Sequence, residues 1–373
     1  MKREHYIDYL RVVLTILVII HHTAIGYGAS GGWCYITPEI IAGWPQLALS
    51  VMLTINQAFF MSLFFFISAY FMPGSYDKKG FAVFLKNRFV RLGIPLVIYC
   101  TFVNPTLLYF IDVHRGFNPG GLVQYIITSN IKYPNTSHLW FVFSLLVFET
   151  FYALYRKYLK PKISFIFTDT APQNRHIVWF VAAMAVIAFL VRIIYPIGGK
   201  NFMGLQFGYF TLYTAFYLLG IVARRKNWLE KMSVKTAAGW FFLAVLVIPV
   251  VIFAWLSIIR EPALMNEFIG GFHLRSFVLT TWEAIVCTGF CLFFTLAARK
   301  YQNRENRLVS VLSLNSYSAY IIHPVLVVAT TILLEPVPAP PFTKFLAVCL
   351  LATVLCFGFS YLLRLIPRVK KVL

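Results

Sequence analysis

Charge is what this chain has least of. Only 12% of its 373 residues are Asp, Glu, Lys or Arg, about half the share found in a soluble domain, and that scarcity excludes an ordinary water-exposed globule. Acidic residues are scarcer still, at 13 against 33 basic ones. In a soluble protein such a surplus points to nucleic acid. Here the basic residues sit in short connections between hydrophobic runs, so nucleic acid is set aside as a partner in favour of membrane topology and anionic lipid headgroups. The six cysteines offer no disulfide framework: Cys100, Cys287, Cys291, Cys349 and Cys356 fall inside apolar runs, and only Cys34 lies in a loop. Cys287 and Cys291 are one helical turn apart, but no His or carboxylate completes a ligand set, so no metal is expected. The first run reads as a retained span, and no cleavable leader is expected. Lys2 and Arg3 resemble the start of one, but Asp8 and Arg11 interrupt the following apolar run and no small-x-small site closes it. No repeat, low-complexity tract or appended soluble catalytic domain is visible, and residues 1–373 read as one membrane domain.

What the chain has is hydrophobic length. It is 60% hydrophobic and 18% aromatic, with a mean hydropathy of +0.74. A membrane span needs about 20 apolar residues. Ten such runs occur, at about 7–27, 47–72, 89–111, 139–159, 177–196, 204–223, 237–259, 274–298, 308–334 and 343–366. Each is too long for a buried strand, so the expected class is an all-α polytopic membrane protein. With the N-terminus in the cytoplasm, 25 Lys and Arg fall in cytoplasmic segments, six fall on the opposite side, and Arg11 and Arg192 lie within spans. An odd number of spans would scramble this bias, which places both termini in the cytoplasm of a cell-membrane protein. The longest outer connection is 112–138 and the longest cytoplasmic one is 156–176, so chemistry must come from the spans and short loops.

Several spans carry ionisable groups, which are costly in hydrocarbon and there mark functional sites by default. The first, IDYLRVVLTILVIIHHTAIGYG, holds Asp8, Arg11, His21 and His22. Arg11 and His22 are eleven residues apart, about three turns plus 20°, so they share a stripe roughly 16 Å long. His21 has a plain packing reading. Glu149, Glu283 and His323 lie near mid-span, and Arg192 lies toward the outer end of its span. His323 precedes Pro324, which removes a backbone donor and can kink the helix; the two carboxylates can equally be structural ties to Arg192 or a histidine. His138 and His273 stand at outer helix ends, where water is near. Arg88 and Arg91, one turn apart near Lys86, read either as ordinary flanking charges or as an anion clamp, for which the planar guanidinium fork is suited. Asp8 can hold Arg11 as an i,i+3 pair.

Five patterns, in order on the first four spans and the ninth, resemble the acyltransferase-3 family of integral-membrane acyltransferases. They are Arg11-x10-His22 within YIDYLR…HH; FFFISAYF at 64–71, with Ala69 where glycine is more usual; Arg88-Phe-Val-Arg91; HLWFV at 138–142; and SYSAYIIHP at 316–324. The resemblance implies transfer of acyl groups, usually acetyl, from cytoplasmic acyl-CoA to hydroxyls of cell-surface or exported glycans, in a membrane of the bacterial cytoplasmic type. It implies that His22 is the central catalytic residue and that Arg11, Arg88 and Arg91 are essential and serve the acetyl-CoA donor. Some relatives carry a fused extracytoplasmic hydrolase-like domain. None is expected within residues 1–373, so the expectation is direct acylation at the membrane, or completion by a separate extracytoplasmic partner.

On this reading a neutral imidazole at His22 takes the proton of the attacking sugar hydroxyl. His323, Ser318 or a Tyr hydroxyl stabilises the oxyanion, and Glu149 or Glu283 orients His22. His138, Trp140 and Ser318 are candidate contacts to the glycan or glycolipid acceptor. A covalent acyl-enzyme is an alternative route. The reading from another class is a transporter or exporter using the same charges as an ion or substrate path, which the lack of inverted repeats or paired broken helices weakens.

Overall fold

Backbone polar groups have no water to bond with in lipid, so the apolar runs must satisfy themselves as helices. The computed structural model describes residues 4–132, 135–159, 170–199 and 202–373; Lys2, Arg3, Lys160, Lys162 and Lys200, part of the charge bias, lie outside them. We label the long helices α1 (His5–Gly26), α2 (Trp44–Tyr70), α3 (Met72–His114), α4 (Trp140–Tyr158), α5 (Asn174–Ile194), α6 (Phe210–Lys226), α7 (Val234–Arg260), α8 (Leu274–Tyr301), α9 (Arg307–Leu334) and α10 (Pro341–Leu365). Among the described residues nine helices are long and apolar enough to cross a membrane, and no strand forms. The sixth expected span is the short one. Its 17 residues rise about 26 Å, and the 3₁₀ turn Phe207–Tyr209 that leads into it adds about 6 Å, enough for a hydrocarbon core of about 30 Å.

Proline shapes three of these helices. A proline lacks the N–H that would bond the carbonyl four residues earlier, and each freed carbonyl finds a side chain. Pro95 frees Arg91, whose carbonyl accepts the Tyr317 hydroxyl at 2.7 Å. Pro105 frees Thr101, which accepts Asn130 Nδ2 at 3.0 Å. Pro324 frees Tyr320, which meets His323 Nδ1 at 2.5 Å. In α3 the first two prolines follow five-residue π-helical segments, Phe89–Gly93 and Tyr99–Val103, and Gly80 at φ 72° breaks the helix nearer its start. The expected seventh span, 237–259, is two helices meeting at Val247. Pro249 follows the break, and the Val247 carbonyl takes Trp282 Nε1 at 3.0 Å.

α1 is the hub, packed against α2, α8, α9 and α10. This central place is what puts its polar residues inside the protein rather than against lipid. Glycine permits the closest crossings, as expected where lipid removes the hydrophobic drive between helices and packing must supply it. A Cβ at Gly220 of α6 would lie 2.4 Å from the Phe66 carbonyl of α2, and one at Gly289 of α8 would lie 2.4 Å from the Trp240 carbonyl of α7.

Side-chain pairs sort the helix ends onto two faces. On one, Arg224 meets Glu4 at 2.9 Å, and Asp77 joins Arg156 at 2.9 Å and Arg225 at 2.7 Å. On the other, Glu335 meets the Tyr35 hydroxyl and His114 Nε2, while Lys344 pairs with Glu39 at 2.8 Å. The first set lies in segments expected at the cytoplasm and the second in segments expected outside, so pairing and charge bias group the ends alike.

Candidate active site

The centre of the molecule is a cluster of imidazoles built from three helical elements. His22 comes from the C-terminal part of α1, His323 from the middle of α9, and His138 from the short 3₁₀ turn Ser137–Leu139 that opens α4. His323 is fully buried, whereas His22 and His138 are half-buried. His22 Nδ1 and His323 Nε2 are 3.0 Å apart. The proton positions follow from the chain of partners. The Tyr320 carbonyl can only accept, so His323 Nδ1 carries the proton facing it. In a neutral ring His323 Nε2 must then accept, and His22 Nδ1 must donate. His22 Nε2 is left as an unprotonated base. Pro324, by freeing the Tyr320 carbonyl, is the origin of this ordering. His138 is ordered likewise: Ser137 Oγ donates to Asn104 Oδ1 at 2.8 Å and is 2.9 Å from His138 Nδ1. The Tyr320 hydroxyl donates to the His138 carbonyl at 2.7 Å, fastening α9 to this turn.

His22 and His138 line a cavity of about 780 Å³ that reaches the segments at 30–34, 135–138, 197–198 and 204–206 and the short helix Leu264–Ile269. These belong to the face carrying Glu335 and Lys344. Trp140, Tyr209, Tyr213, Trp255, Gln57 and Glu283 also line it. Trp140 and Tyr213 stack with centroids 5.5 Å apart, and Gln57 Nε2 donates to the Tyr213 hydroxyl at 2.7 Å. His21 stacks on Phe60 at 5.1 Å and contributes to the cavity wall. Cys34 lies in the same wall, in the loop after α1. Burial pushes its thiol up to about 12, so it stays protonated and is no nucleophile at neutral pH.

Both carboxylates serve as ties to an arginine, one of the two readings left open by their position in mid-span. Glu149, 2% exposed, lies 3.1 Å from Arg88 Nε. Glu283 lies 2.5 Å from Arg192, a residue 1% exposed whose Nε also donates to the Gly208 carbonyl. Each carboxylate is thus neutralised by its own arginine, as burial requires, and it is His323 that contacts His22 Nδ1. Of the two, only Glu283 reaches the cavity. Ser318 is fully buried, its Oγ has no hydrogen-bond partner among the described residues, and it does not line the cavity.

The guanidinium groups gather elsewhere. Arg11, with a side chain 40% exposed, lies 3.7 Å from Asp8 and 5.4 Å from the Phe71 ring centroid. Ser313 Oγ donates to Asp8 at 2.8 Å and so ties this pair to α9. Arg88 and Arg91 do not share one orientation. Arg88 turns inward to Glu149, while Arg91, inside the π-helical segment, is exposed; the wider π turn separates side chains that a regular helix would align. The charges of Arg88, Arg91 and Lys78 bear on Lys79, and that of Arg91 bears on Arg364. Like charges gathered in this way form a receptive surface for an anion. None of Arg11, Arg88 or Arg91 lines the His22 cavity.

Reading the sequence missed Trp33, whose indole stacks on His22 with centroids 4.4 Å apart and planes 22° from parallel. The signal lay in the glycine-rich turn GYGASGGW, which returns the chain over the end of α1. The Asn104–Ser137–His138 chain was missed as well, since nothing local links residues 33 positions apart.

A family model described as an acyltransferase domain matches residues 4–361. Relatives include proteins named glucans biosynthesis protein C from Shigella dysenteriae serotype 1 (strain Sd197), Escherichia coli O1:K1 / APEC and E. coli O139:H28 (strain E24377A / ETEC), each 27% identical over 151 residues. The similarity covers 40% of this chain and 38% of each relative, so the chain spans well under half the length of the curated relatives it matches. No solved structure matches.

Proposed function

The chain belongs to the acyltransferase-3 family of integral-membrane acyltransferases, and from that premise we propose that it moves an acyl group from cytoplasmic acyl-CoA to a hydroxyl of a cell-envelope glycan, with His22 as general base. The observation that carries this reading is the hydrogen-bonded series Tyr320 carbonyl, His323, His22, which leaves His22 Nε2 unprotonated in a half-buried cavity. The acceptor hydroxyl attacks the thioester carbonyl while its proton passes to His22 Nε2. The tetrahedral intermediate collapses, the C–S bond breaks, and the imidazolium returns the proton to the departing thiolate. Such base catalysis contributes typically 10²–10⁴ in rate. His323 holds the reactive tautomer of His22 and disperses its charge as the proton arrives.

The two reactants enter from opposite faces in this reading. Phosphates of the donor meet Arg88, Arg91 and Arg11, and the pantetheine arm runs along α1 over roughly 16 Å. The acceptor enters the cavity, whose Trp and Tyr rings with Gln57 suit the apolar faces and hydroxyls of a sugar. The relatives' names concern glucan synthesis, which makes a glucan oligosaccharide the first acceptor to test, and their bacterial source fits the cytoplasmic membrane of a bacterium. Ser318, unlike His138, Trp140 and Glu283, lies away from this acceptor path.

The test is sided transfer in proteoliposomes. Labelled acetyl-CoA is offered on the Arg91 face and a glucan oligosaccharide on the other. Label should appear covalently on the oligosaccharide with the wild-type protein and not with His22→Ala. Full transfer by a folded His22→Ala protein would sink the base assignment. Label crossing the bilayer without any ester forming would instead support a transporter.

A further inference from the structure

We infer that Trp33 is a positioning residue that tunes His22: its indole face holds the imidazolium formed during transfer, and the loop that carries it exists to keep that face in place. The inference rests on the base assignment to His22. The stack is close and nearly parallel, with centroids 4.4 Å apart and planes at 22°. Such a face attracts a cation through the ring quadrupole, most strongly where water is excluded. The surroundings make this contribution count. The titratable groups around His22 are His21 on its own helix, His138 on the turn before α4, His323 on α9 and Glu283 across the cavity on α8. Glu283 is already neutralised by Arg192, and Cys34 in the adjoining loop is protonated. No carboxylate therefore touches His22, and beside its hydrogen bonds to His323 and to the Val18 carbonyl of its own helix, the π face of Trp33 is the remaining contact that can favour its charged form.

The loop is built for this placement. After α1 the chain doubles back at Gly28, φ 98°, where a Cβ would fall 2.8 Å from Ile40 Cβ, and passes Gly31, where a Cβ would fall 2.6 Å from Ile25 Cδ1. Thr37 N donates to the Gly26 carbonyl at 2.9 Å and Ile41 N to the Tyr27 carbonyl at 2.9 Å. Two residues beyond Trp33, the Tyr35 hydroxyl donates to Glu335, which also holds His114 at 2.9 Å. A loop without regular structure is thus fastened on both sides of its tryptophan.

The experiment is a pH profile of kcat/KM for acetyl transfer in proteoliposomes, with Trp33 replaced by mono-, di- and trifluorinated tryptophan, which keep the shape and withdraw π density in steps. The acidic limb, which reports protonation of His22, should move stepwise to lower pH. The full loss of the π face in Trp33→Leu should lower the proton affinity about three- to thirtyfold, a shift of about 0.5–1.5 pH units, and Trp33→Phe should restore part of it. A flat fluorinated series, or Leu and Phe variants with identical profiles, would overturn the inference. Because the fluorinated proteins keep the native shape, the outcome does not depend on the Leu variant folding. His22→Ala is measured in parallel. An active His22→Ala protein would refute the base reading itself, whereas an inactive one alongside a flat fluorinated series would refute Trp33 alone.

Discussion

The two polar regions of this protein solve the same problem in opposite ways. Around His22 the groups are neutral and pass hydrogen bonds from one to the next, ending on a backbone carbonyl that Pro324 has left vacant. Around Arg88 and Arg91 they are charged, and Glu149 offsets the charge of Arg88. A buried imidazole can give up its proton and lose its charge, so it needs an acceptor and a fixed tautomer. A guanidinium cannot, so it must either pair, as Arg192 does with Glu283, or stay exposed, as Arg91 does. The difference teaches that a buried site can be built from groups that shed their charge, whereas fixed cations need counter-charges or exposure, and the proposed division of labour between base and donor site follows that divide.

That contrast can be broken by experiment, beginning where the effect should be greatest. His22→Ala should lower turnover at least 10²-fold while size-exclusion behaviour and thermal midpoint stay near wild type. His323→Ala should follow, with a loss of about tenfold to a hundredfold in kcat and little change in either KM, because His22 then loses the partner that orders its proton. Arg91→Ala should raise the KM for acyl-CoA about tenfold, as expected for one lost charge-assisted hydrogen bond, and leave the KM for the acceptor unchanged. Equal changes in both constants would show that the two regions do not divide the substrates. Arg88→Ala sharpens the same point by stability: it strands a buried Glu149 and should cost about 3–5 kcal/mol in unfolding free energy, much of it recovered in Arg88→Ala/Glu149→Gln. The smallest effect belongs to Asp77→Asn at the exposed clasp with Arg156 and Arg225, where surface pairs contribute about 0–1 kcal/mol and transfer should be unaltered.

Much of this was legible before any coordinates. Ionisable residues in an apolar span are too costly to be accidental, and that argument alone singled out His22, His323, Glu149, Glu283 and Arg192. It could not say which would meet. The i,i+3 pair Asp8–Arg11 was readable because helix geometry places such residues side by side. Arg192 was readable as a possible partner for either mid-span carboxylate, but that it takes Glu283 while Glu149 goes to Arg88 was not, since these pairs join helices whose relative rotation depends on packing. That Arg88 turns to Glu149 while Arg91 stays exposed was not readable either, because a π-helical segment is not announced by its residue types.

Composition, hydrophobic run length and the skew of Lys and Arg by themselves determined an all-helical membrane protein with ionisable groups in its interior, because lipid leaves a backbone no other choice and charges no cheap place. Only the tertiary structure decided that three imidazoles from distant segments converge, that Trp33 lies over one of them, and that each buried carboxylate goes to an arginine instead. Those outcomes depend on which carbonyls and side chains come within about 3 Å of one another, and such short-range partnerships are set when helices pack, not when they form.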